Sequence, residues 1–106
     1  METYEVLIEL SAERDLLGIL TYISETLKEP ETAFRIYSAI KEQIESLRMM
    51  ALRCKLVNDE LYSSRGVRRL SAENYSIFYI VDREKREVHV FRILCNRREW
   101  QSLLDS

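Results

Sequence analysis

Arg68, Arg69, Arg92, Arg97 and Arg98 all fall within residues 66–100, a stretch whose apolar residues otherwise alternate as they do in strands. A guanidinium is a planar fork of donors that fits phosphate and carboxylate equally well. Several of them converging would hold a phosphate and stabilise a pentavalent transition state. They would suit the acidic side chains of a protein partner just as well. Arg92 is the sharpest case, because its strand positions alternate with Val88, Val90 and Leu94, where an apolar residue is cheapest. A guanidinium buried there requires an anion or an acidic partner such as Glu9, unless its head escapes at the sheet edge. Arg68 and Arg69 point to opposite faces of one strand, so only one of them can share a surface with Arg92.

Cleaving RNA through its own 2′-hydroxyl needs a base, an acid and a cation at the phosphate. The cations are present. The sole histidine, His89, falls on the opposite strand face from Arg92 and reads as a half-buried sheet residue. Glu73 and Tyr75 are the remaining proton-transfer candidates in principle. The sequence has no nucleophile elbow, no phosphate-binding glycine loop and no metal constellation, and Cys54 and Cys95 are too far apart for a C-x-x-C zinc site. No cofactor is implied.

The elements that must position these residues can be read in order. Residues 4–10 alternate as a strand with one buried face. Ser11 can cap a helix whose stripe is Leu16, Leu20, Ile23 and Leu27, reinforced by Ile19. Pro30 ends that helix and opens a second one, with a stripe of Ala33, Ile36, Tyr37, Ile40, Ile44 and Leu47. So short a joint folds the two into an antiparallel hairpin. Glu31 and Arg35 form a favourable i,i+4 pair. Residues 49–64 show no regular period. Three strands follow, over residues 66–70, 75–81 and 88–95, with a charged connection at 82–87 too poor in glycine for a tight primed turn. A short helix over 97–104 puts Trp100, Leu103 and Leu104 on one side. The class is α+β: an N-terminal strand, an antiparallel helical hairpin, a mainly antiparallel three-strand meander and a short C-terminal helix. How the first strand joins the sheet is not legible.

At 106 residues the chain makes a single domain spanning 1–106. Its net charge of −2 argues against a general polyanion binder, yet the charge is uneven. Residues 1–52 carry five basic and ten acidic side chains, residues 53–106 eleven and eight, so an electropositive surface belongs to the second half. The N-terminus METYEVLIEL has acids where a signal peptide needs basic residues, and the longest apolar run is far short of a membrane span. A cytoplasmic protein with reduced thiols and no membrane partner is expected.

Taken in order, the strand YEVLIELS, the helix DLLGILTYI, the second helix after Pro30, the run RCKLVNDELYSSRGVRRLSAENYSIFYIVD and the ending VHVFRILCNRREWQSLL resemble the RelE/ParE superfamily of toxins from bacterial type II toxin–antitoxin modules. The resemblance implies a toxin that inhibits growth, contributes to plasmid stabilisation, and is held neutral by a cognate antitoxin wrapped around it. One branch of the superfamily cleaves mRNA on the ribosome; the ParE-like branch poisons DNA gyrase. Arg69, Arg92, Arg97 and Arg98 match positions where the superfamily is commonly basic, and with Arg68 they are the expected target contacts. Arg92 and Arg69 become catalytic only in the endoribonuclease branch. Cys95 stands where relatives often carry a tyrosine or histidine usable for proton transfer, Asn96 where glycine is frequent, and Lys55 where proline is frequent. A thiol is a poor substitute in such a role. Together with the acidic composition this favours the ParE-like branch, with the ribosome-dependent endoribonuclease and an inactive antitoxin-binding homologue as the alternatives. Met49, Met50 and Leu52, with Trp100, Leu103 and Leu104, are the candidate antitoxin surface.

Overall fold

The most strand-like stretch of the sequence becomes the middle of the sheet. In the computed structural model, which describes residues 3–96 and 100–104, β3 (Tyr75–Asp82) lies between β2 (Arg68–Ala72) and β4 (Glu87–Cys95), antiparallel to both. Ile77, Phe78 and Tyr79 are completely buried in succession, which is possible only if both faces of the strand are covered. One face packs on the helices; the other is covered by Val57, Tyr62, Val67 and Leu104, which form a second, smaller core with Phe78 and Leu94.

The N-terminal strand, β1 (Glu5–Ile8), pairs in parallel with β4, Glu5 opposite Glu87 and Ile8 opposite Val90, giving the order β1-β4-β3-β2. It leads into α1 (Leu10–Thr21), which widens into a π-helical turn at Tyr22–Thr26. Lys28, in the left-handed region at φ 55°, turns the chain into α2 (Pro30–Ser46). The predicted stripe of α2 is the buried one except at Tyr37, which is half-buried: Ala33, Ile36, Ile40, Ile44 and Leu47 all enter the main core. On α1 the face is Ala12, Leu16, Ile19, Leu20 and Ile23, whereas Leu27 remains exposed beyond the helix end.

Several local expectations change. Ser11 does not cap α1; the helix begins at Leu10 with Glu9 at the cap position, two residues earlier, and the Ser11 hydroxyl donates instead to the Phe91 carbonyl at 2.5 Å. Arg35 pairs with Glu73 in the β2–β3 turn and not with Glu31. The segment without a legible period contains a short helix, α3 (Glu60–Ser64), whose start is fixed by Asp59 accepting from the Leu61 and Tyr62 amides. At the C-terminus the described residues form a single 3-10 turn, Trp100–Ser102; positions 97–99 of the expected helix lie outside the described residues.

The β3–β4 pairing contains the feature with the widest effect. Tyr79 faces Val90 and Phe78 faces Arg92, so Phe91 is an extra residue on β4, a β-bulge. Period-two alternation therefore breaks there. Val88, Val90 and then Ile93 face the helices, while Arg92 and Leu94 turn to the opposite face. The sequence expectation that Val88, Val90, Arg92 and Leu94 share a face is overturned, because uniform alternation assumes one residue on β4 for each residue on β3.

Candidate functional site

β1 is short and covers only the first part of β4, so the edge of β4 beyond Val90 has no strand beside it. Two α1 side chains one helical turn apart take that place. Ser11 satisfies the Phe91 carbonyl, and the Asp15 carboxylate accepts from the Ile93 amide at 2.9 Å. Asp15 also grips Arg92 bidentately, with Nε–Oδ2 at 2.7 Å and Nη2–Oδ1 at 3.1 Å. The third corner of the guanidinium, Nη1, donates to the Leu103 carbonyl. Arg92 is therefore paired internally, to Asp15 and not to Glu9. Both side chains are largely enclosed, 12% and 16% exposed. Asp15 is the residue that sequence reasoning missed; its i,i+4 spacing from Ser11 was the available signal, but it reads equally as helix-start electrostatics.

Across the sheet, Arg69 of β2, Phe78 of β3 and Arg92 of β4 are in register on one face. The Arg69 guanidinium lies 6.0 Å from the Phe78 ring centre, donates from Nε to the Ser76 hydroxyl at 2.7 Å and reaches Asn96 Oδ1 at 3.2 Å. Arg68 points the other way, opposite Tyr79, and donates to the Cys54 carbonyl. The structure thus brings Arg69 and Arg92 to one face and separates Arg68 from them; Arg97 and Arg98 lie outside the described residues.

The bulge also moves the histidine. His89 pairs with Ile80, on the same face as Phe78, so His89 and Arg92 share a face and are not on opposite ones. Its ring is held from both sides, Nδ1 at 2.9 Å from Glu9 and Nε2 at 3.0 Å from Glu87. The Glu9 hydrogen bond, helped by Glu87 and opposed by burial, raises its pKa above the usual 6.5. Tyr75 sits opposite Cys95, and burial with the nearby thiol raises its phenol pKa.

Of the expected antitoxin residues, Met49, Met50 and Leu52 are exposed beside the main core, in the segment after α2. Trp100 instead lies 5.2 Å from the Phe78 ring and 5.7 Å from Tyr62, and with Leu103 and Leu104 it packs the second core. The two groups are not brought together. A cleft of about 560 Å³ opens between α1 and the end of the sheet, bordered by Arg14, Gly18, Tyr22, Tyr75, Arg92 and Cys95 among others.

A model of the ParE toxin of the type II toxin–antitoxin system parDE matches residues 6–100. The chain belongs to the ParE toxin family. Among solved structures, the toxin is similar to a chain of the chromosomal ParDE system from P. aeruginosa, with a TM-score of 0.71 and 25% identity over 88% of this chain and 96% of that one. It is also similar to a chain of the toxin–antitoxin complex RelBE2 from Mycobacterium tuberculosis, with a TM-score of 0.63 and 26% identity over 88% and 98%. No curated protein sequence matches it. Its α+β fold is that of the RelE/ParE toxins. No helix among the described residues is long and apolar enough to cross a membrane.

Proposed function

We propose that this toxin, when free of its antitoxin, inhibits growth in the cytoplasm by ParE-like binding and poisoning of DNA gyrase. The observation that carries this reading is the state of Arg92. Its charge is matched by Asp15 and its remaining edge is engaged by Leu103, so it is a poor candidate to meet a phosphate in a transition state. The thiol of Cys95 at the end of the same strand favours the same branch, since it is a weaker hydrogen-bonding group and a poor substitute for a phenol or imidazole in proton transfer. Arg69, with Arg97 and Arg98, is then a target contact that meets acidic side chains of a protein, whereas Arg68, on the other face, would need a separate contact. Both structural neighbours come from toxin–antitoxin systems, which supports a protein antitoxin as the partner of this chain too.

One observation favours the endoribonuclease as a second reading: the bulge places His89, Arg69 and Arg92 on one sheet face. The two readings separate in parallel assays of the purified protein. Gyrase poisoning predicts lost supercoiling or trapped, cleaved DNA, with mRNA intact on a programmed ribosome. Cut mRNA, with cutting abolished in a folded Arg92→Ala protein, would replace this reading by the second. Normal growth on expression without the antitoxin would remove both and leave an inactive antitoxin-binding homologue.

A further inference from the structure

The sequence contains two glycines, and only one of them is explained by the fold. Gly66 has φ 82°, a conformation that side chains disfavour. Gly18 is in the interior of α1 with ordinary helical backbone, where glycine weakens a helix relative to alanine. A Cβ added at Gly18 would meet nothing within 4 Å, so no part of the chain requires the space. What Gly18 does border is the cleft beside β4, where the missing side chain leaves helix backbone as one wall.

The neighbours of Gly18 give that space a chemical character. Arg14 and Tyr22, one turn to either side, line the same cleft, and Ile93 forms part of the opposite wall. Arg14 is exposed and makes no hydrogen bond or ion pair among the described residues, whereas the adjacent Asp15 is committed to Arg92. An apolar wall under a bare stretch of helix, with an unmatched cation at its mouth, suits a peptide that carries a bulky apolar side chain and a nearby carboxylate.

We infer that the cleft between α1 and the end of β4 seats a segment of the antitoxin, with an apolar side chain entering over Gly18 and an acidic residue pairing with Arg14. This rests on the toxin reading above. The volume, about 560 Å³, fits a few side chains of a peptide. The uncompensated charge at the mouth selects an acidic one.

The test titrates the full toxin chain with the full-length product of the open reading frame beside its gene, assayed as the antitoxin. Gly18→Phe, whose Cβ has nothing within 4 Å, projects a ring into the cleft and should weaken binding by roughly 30-fold or more. Arg14→Glu, a surface change that spares the fold, should weaken it by about tenfold. Phe34→Ser, on the exposed side of α2 away from the cleft, should leave it unchanged, and thermal melts confirm that each variant is folded. If the wild type binds but both cleft variants bind within about threefold of it, the cleft assignment is overturned and the toxin reading stands. If the wild-type chain binds no such antitoxin, both fall together. If Gly18→Phe abolishes self-association of the free toxin while antitoxin binding is unchanged, the seat belongs to a second copy of this chain.

Discussion

A histidine clasped by two carboxylates ties the edge strand to its neighbour. Glu9 follows β1, while His89 and Glu87 belong to β4, so the imidazolium joins the two segments side chain to side chain. Because the folded pKa is raised, the protonated ring contributes stability that is fully present below the unfolded value near 6.5. That contribution is lost as the pH rises through the higher folded value. The urea midpoint should therefore fall from mildly acidic to mildly alkaline pH, and His89→Gln should flatten the decline across this range. At this scale the sequence identified His89 as a sheet residue, but not its clasp. Glu9 and His89 are 80 residues apart, and only the parallel pairing of β1 with β4 makes them neighbours.

The helix α1 completes a sheet it does not belong to. Its Ser11 and Asp15 satisfy the backbone of β4 where β1 has ended, and Asp15 neutralises the arginine beside that edge. Removing Asp15 leaves a largely buried guanidinium without its counter-charge and the Ile93 amide without a partner, at a cost of roughly 3–5 kcal/mol. Arg92→Met alone strands the carboxylate at a similar order of cost. Asp15→Leu combined with Arg92→Met should recover part of the loss, and a double-mutant cycle by denaturant unfolding measures how much. Recovery in the double variant would also identify Arg92 as a structural tie. The elements themselves were legible: the α2 stripe, the central strand and the absence of a tight turn at 82–87 follow from period and turn chemistry alone. The bulge at Phe91 was not, because a single inserted residue carries no compositional mark in a run of apolar side chains. Every assignment of face beyond it changed accordingly, including that of Arg92 and, relative to it, His89.

Over the whole molecule, one sheet covered on both faces accounts for the burial of a chain of only 106 residues. The class of fold was legible in the order strand, helix pair, three strands. The second core was not, since its cover comes from residues without a period, Val57, Tyr62 and Val67, and from the C-terminal segment. Of the five arginines, Arg68, Arg69 and Arg92 lie in strands, but the charge asymmetry between the halves said nothing of which would be neutralised within the protein and which would be left to meet a partner.

The pairing of the first strand with the last also sets when the toxin can first complete its sheet. Glu5 finds its neighbour at Glu87, so this edge of the sheet cannot form until residue 87 has been synthesised. A nascent chain arrested before residue 87 should leave the amides of residues 5–8 unprotected in hydrogen exchange, whereas the released chain protects those that face β4. Synthesis itself thereby delays the fold, and a partner that reads the finished sheet has nothing to meet until β4 is in place.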